Sequence, residues 1–194
     1  MAFLSVGELI DIVIMTVFVG FIFGDVFSSA RRIAVDTEGR ELPNTSSRSW
    51  NWDNFKFAVI VTAPAIIFHE FGHKIVAMLF GMKATFSAAY GWLALGLGLK
   101  LLSFPFIFFV PAYVSIIGST TPLNYSLIAF AGPAVNMVMW LVAGIMIKSG
   151  KYSRKTTIIL QLTKQINMFL FIFNMIPIPG FDGSKVFSGL LGAF

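Results

Sequence analysis

His69-Glu70-Phe71-Gly72-His73 contains both histidines of this chain, and it lies inside a run apolar enough to cross a membrane, from about Phe55 to Phe80. On a helix, positions i and i+4 project from one face, so the two imidazoles can converge on a single divalent cation while Glu70 stands beside them. Zinc is the first metal this pattern suggests. It lowers the pKa of a bound water to about 7, and the intervening glutamate can take the proton as that water attacks a carbonyl. The plainer reading is a polar pair satisfied within a helical bundle. Cost argues against it, because an ionisable group at membrane depth costs at least about 2.5 kcal/mol on insertion scales and is usually kept for function.

Composition supplies the setting. Hydrophobic residues make up 57% of the chain and charged residues 12%, mean hydropathy is +0.83, and there are 22 Phe among 194 residues. That exceeds the apolar content of an ordinary globular domain and indicates a multi-pass integral membrane protein. At about 20 residues per span, the length allows one membrane-embedded domain, residues 1–194, of about four transmembrane helices with a re-entrant piece and no soluble regulatory domain. The net charge of +5 resides in loops beside apolar runs, where Lys and Arg serve topology and lipid headgroups, and nothing signals nucleic acid. Cysteine is absent, so disulfides and thiolate ligands are excluded and His and carboxylates remain as the ligand set.

Outward from the histidine motif, residues 3–27 form a first apolar span interrupted by Glu8, Asp11 and Asp25, without the basic start or cleavage site of a signal peptide. Residues 28–53 read as a hydrated loop, and Trp50 and Trp52 as interfacial anchors. The second span carries the motif in its later half, with Pro64 as a place for a kink and Gly81 and Lys83 at its close. Residues 84–122 are apolar but broken by Gly and Pro. Phe106 to Val110 and Tyr113 to Ile117 favour short strands, which predicts a re-entrant β-hairpin after the second span, packed against the catalytic chamber; the alternative is an extra span over about Tyr90 to Phe109. A third span, about Tyr125 to Ile147, holds Ala131-Gly132-Pro133-Ala134 and Asn136, read as helix-packing residues. A basic turn precedes the fourth, about Thr156 to Ile176.

Directly after that span comes Asn174-Met175-Ile176-Pro177-Ile178-Pro179-Gly180-Phe181-Asp182-Gly183, irregular backbone around a single acid. Two imidazoles leave a catalytic zinc one protein ligand short, and Asp182 is the best candidate for it; a turn or helix-capping aspartate is the alternative.

Together the two segments resemble the site-2 protease family of intramembrane zinc metalloproteases, which carries HExxH in one transmembrane helix and an NxxPxxxxDG-type signature at the end of a later one. The resemblance covers about residues 55–187, including Gly132-Pro133 and the broken apolar segment that looks like the family's re-entrant β region. It implies one zinc on His69, His73 and Asp182, Glu70 as general acid/base, and Asn174 contacting the substrate backbone or steadying the site. It also implies a membrane-protein substrate helix as partner; because helical peptide bonds are shielded by their own hydrogen bonds, that helix must unwind locally, and unpaired backbone groups of a hairpin over residues 106–117 would let it add as a strand. Two departures stand out. The chain ends at Phe194 whereas many relatives continue into further helices, and residues 148–155 leave no room for a PDZ-like insertion. The positive-inside rule places the loops after spans one and three in the cytoplasm, and the resemblance implies the reverse. A metal transporter would be expected to show several intramembrane carboxylates or histidines along a path, and an inactive relative the loss of Glu70 or a ligand. All four positions are filled, which favours the enzyme.

Overall fold

Each of the three acids that interrupt the first apolar run has a partner on a later segment, and these contacts set the layout of half the molecule. The structure, a computed structural model, describes residues 3–27, 51–104 and 110–192. Its elements are α1 (Val6–Phe23), α2 (Trp52–Leu79), β1 (Lys83–Ala88), α3 (Tyr90–Leu101), β2 (Ala112–Ile117), α4 (Pro122–Lys148), α5 (Arg154–Asn174) and α6 (Asp182–Leu191). Among the described residues α1, α2, α4 and α5 are long and apolar enough to cross a membrane. The loop expected at 28–53, apart from its last residues, the Trp50 anchor and most of the Phe106 to Val110 strand lie outside the described residues.

Local sequence sets the ends of the helices. At α1, Ser5 Oγ accepts from the Glu8 amide at 3.3 Å and Glu8 Oε2 accepts from the Ser5 amide at 2.8 Å, a reciprocal capping box. Asn51 caps α2 by accepting from the Asp53 and Asn54 amides at 2.9 and 3.1 Å. That helix runs through Pro64 as one element. It stops at Gly81, whose φ of +76° suits glycine, with Gly81 N–H donating to Met78 O at 2.9 Å and Met82 N–H to Ala77 O at 3.0 Å. This two-bond Schellman closure satisfies the last carbonyls and delivers the chain straight into β1. Thr121 caps α4, with Pro122 at the first helical position where no amide partner is needed.

β1 and β2 form an antiparallel pair, Lys83 opposite Ile117 and Ala88 opposite Ala112, with α3 between them in sequence. The strand at Tyr113 to Ile117 is where the sequence puts it. Among the described residues its partner is Lys83–Ala88, so the observed pair is two strands joined across a helix, while most of the Phe106 to Val110 strand of the expected hairpin lies outside the described residues. The alternative span over Tyr90 to Phe109 is corrected: α3 has 12 residues, about 18 Å of helix, well short of a bilayer core of about 30 Å. Its Gly91, Gly96 and Gly98 lower its helical propensity. The sequence also gave no sign of α6.

Met15, Val19 and Ile22 of α1 pack with Phe86, Ala88, Leu93 and Ala112 as one buried cluster, which fixes the sheet against α1. Phe57 and Val61 of α2 bury against Ile158, Leu162 and Ile166 of α5. The opposite face of α1 exposes Val6, Leu9, Ile10, Val13 and Val17, as a helix face turned to lipid does. Glu8 Oε1 accepts from Lys74 Nζ and, at 2.7 Å, from the Phe86 amide. Asp11 accepts from the Tyr90 hydroxyl, and Asp25 lies 3.2 Å from Lys100 Nζ. Glu8 and Lys74 are 5% and 1% exposed, so neither ion can be compensated by water if the other is removed. Breaking such a pair costs about 3–5 kcal/mol, whereas replacing both ions by apolar groups is often neutral. Glu8→Leu or Lys74→Met alone should therefore lower the thermal midpoint in detergent clearly, and the double substitution should recover most of it; additive losses would show that the pair is not coupled.

Candidate metal centre

Three residues within five positions of α2 and the first residue of α6 form the site. His69, Glu70 and His73 are 7%, 8% and 7% exposed. They face α4, where Gly72 approaches so closely that a Cβ there would lie 2.6 Å from the Ala131 carbonyl oxygen. The small residues 131–134 therefore pack helix against helix as the sequence suggested.

Asp182 arrives by a different route. Pro177 ends α5, and Ile178-Pro179-Gly180-Phe181 then forms a tight turn closed by Phe181 N–H to Ile178 O at 3.1 Å. Proline second and glycine third, the latter at φ +101°, are the residues a type II turn requires. Gly183 is buried against the Met175 and Ile176 carbonyls, where a Cβ would collide, so the turn folds back on the end of α5. Asp182 thus opens α6 with its carboxylate at the positive end of a helix.

His69 Nε2 lies 3.1 Å from Asp182 Oδ2, His73 Nε2 lies 3.2 Å from the same oxygen, and the two Nε2 atoms are 3.2 Å apart. This near-equilateral triangle matches the spacing of about 3.3 Å between ligands at about 2.0 Å from a tetrahedral zinc. Chemistry points the same way. His73 Nδ1 donates to the Ile128 carbonyl at 2.8 Å, so a neutral ring turns the lone pair on Nε2 toward Asp182. Gly132 completes the cradle: a Cβ at that position would run into His73 Nε2 and lie 2.8 Å from His69 Nε2. The residues fit a small cation, and His69, His73 and Asp182 could hold it.

The other two predicted site residues lie on the wall of the same space. A cavity of about 690 Å³ opens onto the donor cluster, and Glu70, Asn174 and the strand residues Ala112 to Val114 line it. Lys185 Nζ stands 3.9 Å from Asp182 Oδ1. Sequence reasoning missed Asn136. It was read as a packing residue, yet its Oδ1 is 2.6 Å from His69 Nδ1. Gly132 likewise serves the site as well as packing. The signal available was a buried amide in an apolar helix, which needs partners.

Helices enclosing two imidazoles of one HExxH turn and a distant carboxylate define an HExxH-type metallohydrolase centre. A protein of Methanocaldococcus jannaschii named "Putative zinc metalloprotease MJ0611" is 38% identical over 133 residues, 68% of this chain and 69% of the relative. No protein-family model and no solved structure matches the chain significantly. With that relative and both motifs in place, the chain belongs to the site-2 protease family of zinc metalloproteases.

The cradle is open to test. Gly132→Ala puts a methyl group where the two Nε2 atoms converge, so zinc retained after dialysis should fall at least about tenfold relative to the parent, with helical content by circular dichroism unchanged. Full zinc retention would show that the donors are not confined as described.

Proposed function

We propose that this protein is an intramembrane zinc metalloprotease that hydrolyses peptide bonds in or near transmembrane segments of membrane proteins. Zinc on His69, His73 and Asp182, with Glu70 as general acid/base, forms the catalytic centre. The observation that carries this reading is the 3.1–3.2 Å triangle of donor atoms inside a set of helices apolar enough to span a bilayer. A zinc ion held there supplies a water of lowered pKa and a Lewis acid for the scissile carbonyl.

The chain's own groups do the rest. Glu70 stands on the cavity wall outside the donor triangle, so its carboxylate is available to take a proton from the attacking water and return it to the leaving amine. A peptide bond in a helix is shielded by its own hydrogen bonds and must be held extended to be reached. Ala89 N–H donates to the Pro111 carbonyl across the strand pair, and Phe86 N–H donates away from β2 to Glu8. By the alternation of an antiparallel ladder, the outward backbone groups of β2 are those of Ala112, Val114 and Ile116, which line the cavity. An unwound substrate segment adds there as a strand, held through its backbone and largely independent of its sequence. Asn174, the last residue of α5, offers a side-chain amide to the same segment. In this reading β1, α3 and β2 form a re-entrant unit against the chamber, because non-helical backbone at membrane depth is tolerated only where protein or a wet cavity satisfies it.

Purified full chain in detergent should carry about one zinc, and stripping it with a chelator should abolish cleavage of a transmembrane substrate until zinc is restored. Glu70→Gln should keep the zinc and lose cleavage by at least about a hundredfold. Asp182→Ala should lose both. Zinc lost in Glu70→Gln would make Glu70 a ligand, and zinc kept in Asp182→Ala would return Asp182 to the role of a helix-end residue.

A further inference from the structure

The second nitrogen of His69 meets a side chain rather than a backbone group, and that side chain is itself held. Asn136 is completely buried, with Oδ1 2.6 Å from His69 Nδ1. Its Nδ2 lies 3.0 Å from the Ala65 carbonyl oxygen and 2.8 Å from Asn167 Oδ1. Asn167, also completely buried, places Nδ2 2.8 Å from the Thr163 carbonyl oxygen.

A backbone carbonyl can only accept, so every link has a forced sense. The Thr163 carbonyl turns the Asn167 amide so that Oδ1 faces Asn136. Asn167 Oδ1 and the Ala65 carbonyl both demand a donor, which turns the Asn136 amide so that its own Oδ1 faces His69. His69 Nδ1 must then carry the proton. The lone pair of the neutral ring is left on Nε2, where Asp182 and His73 converge. Turning either amide over would set oxygen against oxygen at two fully buried side chains, a loss of about 1–3 kcal/mol for each group left unsatisfied.

We propose that Asn136, backed by Asn167, is a positioning residue that fixes His69 as the Nδ1-protonated tautomer and so presents Nε2 as a metal ligand. The proposal rests on the metal-centre reading above and adds to it the source of one ligand's orientation. The two ligands differ in this respect. His73 is oriented by the backbone carbonyl of Ile128, which no side-chain substitution removes, whereas the orientation of His69 depends on two amides from α4 and α5. Hydrogen-bond partners of this kind set ligand basicity and ring angle, and their loss costs about 10–100-fold in metal affinity.

The test uses the full chain in detergent micelles and two readouts. With only two histidines in the chain, ring-nitrogen NMR of histidine-labelled protein reports each tautomer separately, and competition against a chromogenic chelator gives zinc affinity. Asn136→Leu should mix the His69 tautomers while leaving the His73 signals in place, and should weaken zinc about 10–100-fold. Asn136→Asp keeps an acceptor toward Nδ1 but sets its other oxygen against the Ala65 carbonyl and Asn167 Oδ1, so it should lower thermal stability yet keep a single His69 tautomer and bind zinc more tightly than Asn136→Leu. Asn167→Leu, farther from the metal and less disruptive to the fold, should give the same tautomer mixing with a smaller loss of affinity. The proposal is overturned if Asn136→Leu, or Asn167→Leu should the first fail to fold, keeps a single His69 tautomer and parental affinity. It is also overturned if Asn136→Asp loses as much as Asn136→Leu, which would make the site a packing requirement. A parent chain that binds no zinc would overturn the metal centre itself, and with it this inference.

Discussion

A polar group set among apolar helices has to find its partner inside the protein, and that requirement organises this structure. It brings α1, α2 and β1 together on the carboxylate of Glu8, which takes hydrogen bonds from Lys74 and from the Phe86 amide. One turn away from Lys74, the same requirement holds α2, α4 and α5 together through His69, Asn136 and Asn167. Apolar contacts alone would allow the helices to slide and rotate, because one aliphatic face packs on another in many registers. Hydrogen bonds to buried ions and amides do not. The two networks meet α2 on either side of the His73 position, so the helix that carries both histidines is pinned in rotation and along its axis.

α5 shows what this means for a peripheral helix. Its one buried residue is Asn167, and the rest of its surface is partly or fully exposed. Phe57 and Val61 meet it with aliphatic contacts, but the amide decides which face turns inward. That matters because the turn that follows α5 carries Asp182. A helix rotated by one residue would swing the carboxylate away from the imidazoles by about 100°, the angular step of an α-helix.

What could be read from the sequence follows the range of the forces involved. The four apolar helices were legible because hydropathy over about 20 residues is a local property, and their ends fall within a few residues of the expected positions. The facing of His69 and His73 was legible from helical spacing. The contact with Asp182 was inferred from ligand arithmetic and motif, and it is a contact across 109 residues that no local rule contains. β2 was anticipated from its aromatic and β-branched residues. Its partner was not, because Lys83–Ala88 is a short mixed segment that becomes a strand only where α1 and β2 meet it. α6 escaped notice since ten residues with two glycines carry little helical signal of their own. Asn136 was underread for the same reason as β1: the group that gives it meaning lies 67 positions away.

The bond from Phe86 to Glu8 has one more effect. A two-stranded ribbon has two rims, and each exposes the pattern on which foreign backbone can crystallise. Here the rim formed by β1 is plugged by an acidic side chain and screened by α1, so the ribbon can lengthen in one direction only. Two molecules could still meet β2 rim to β2 rim, but such a pair has no β1 rim open to add a third, so a single carboxylate limits ribbon pairing to two copies.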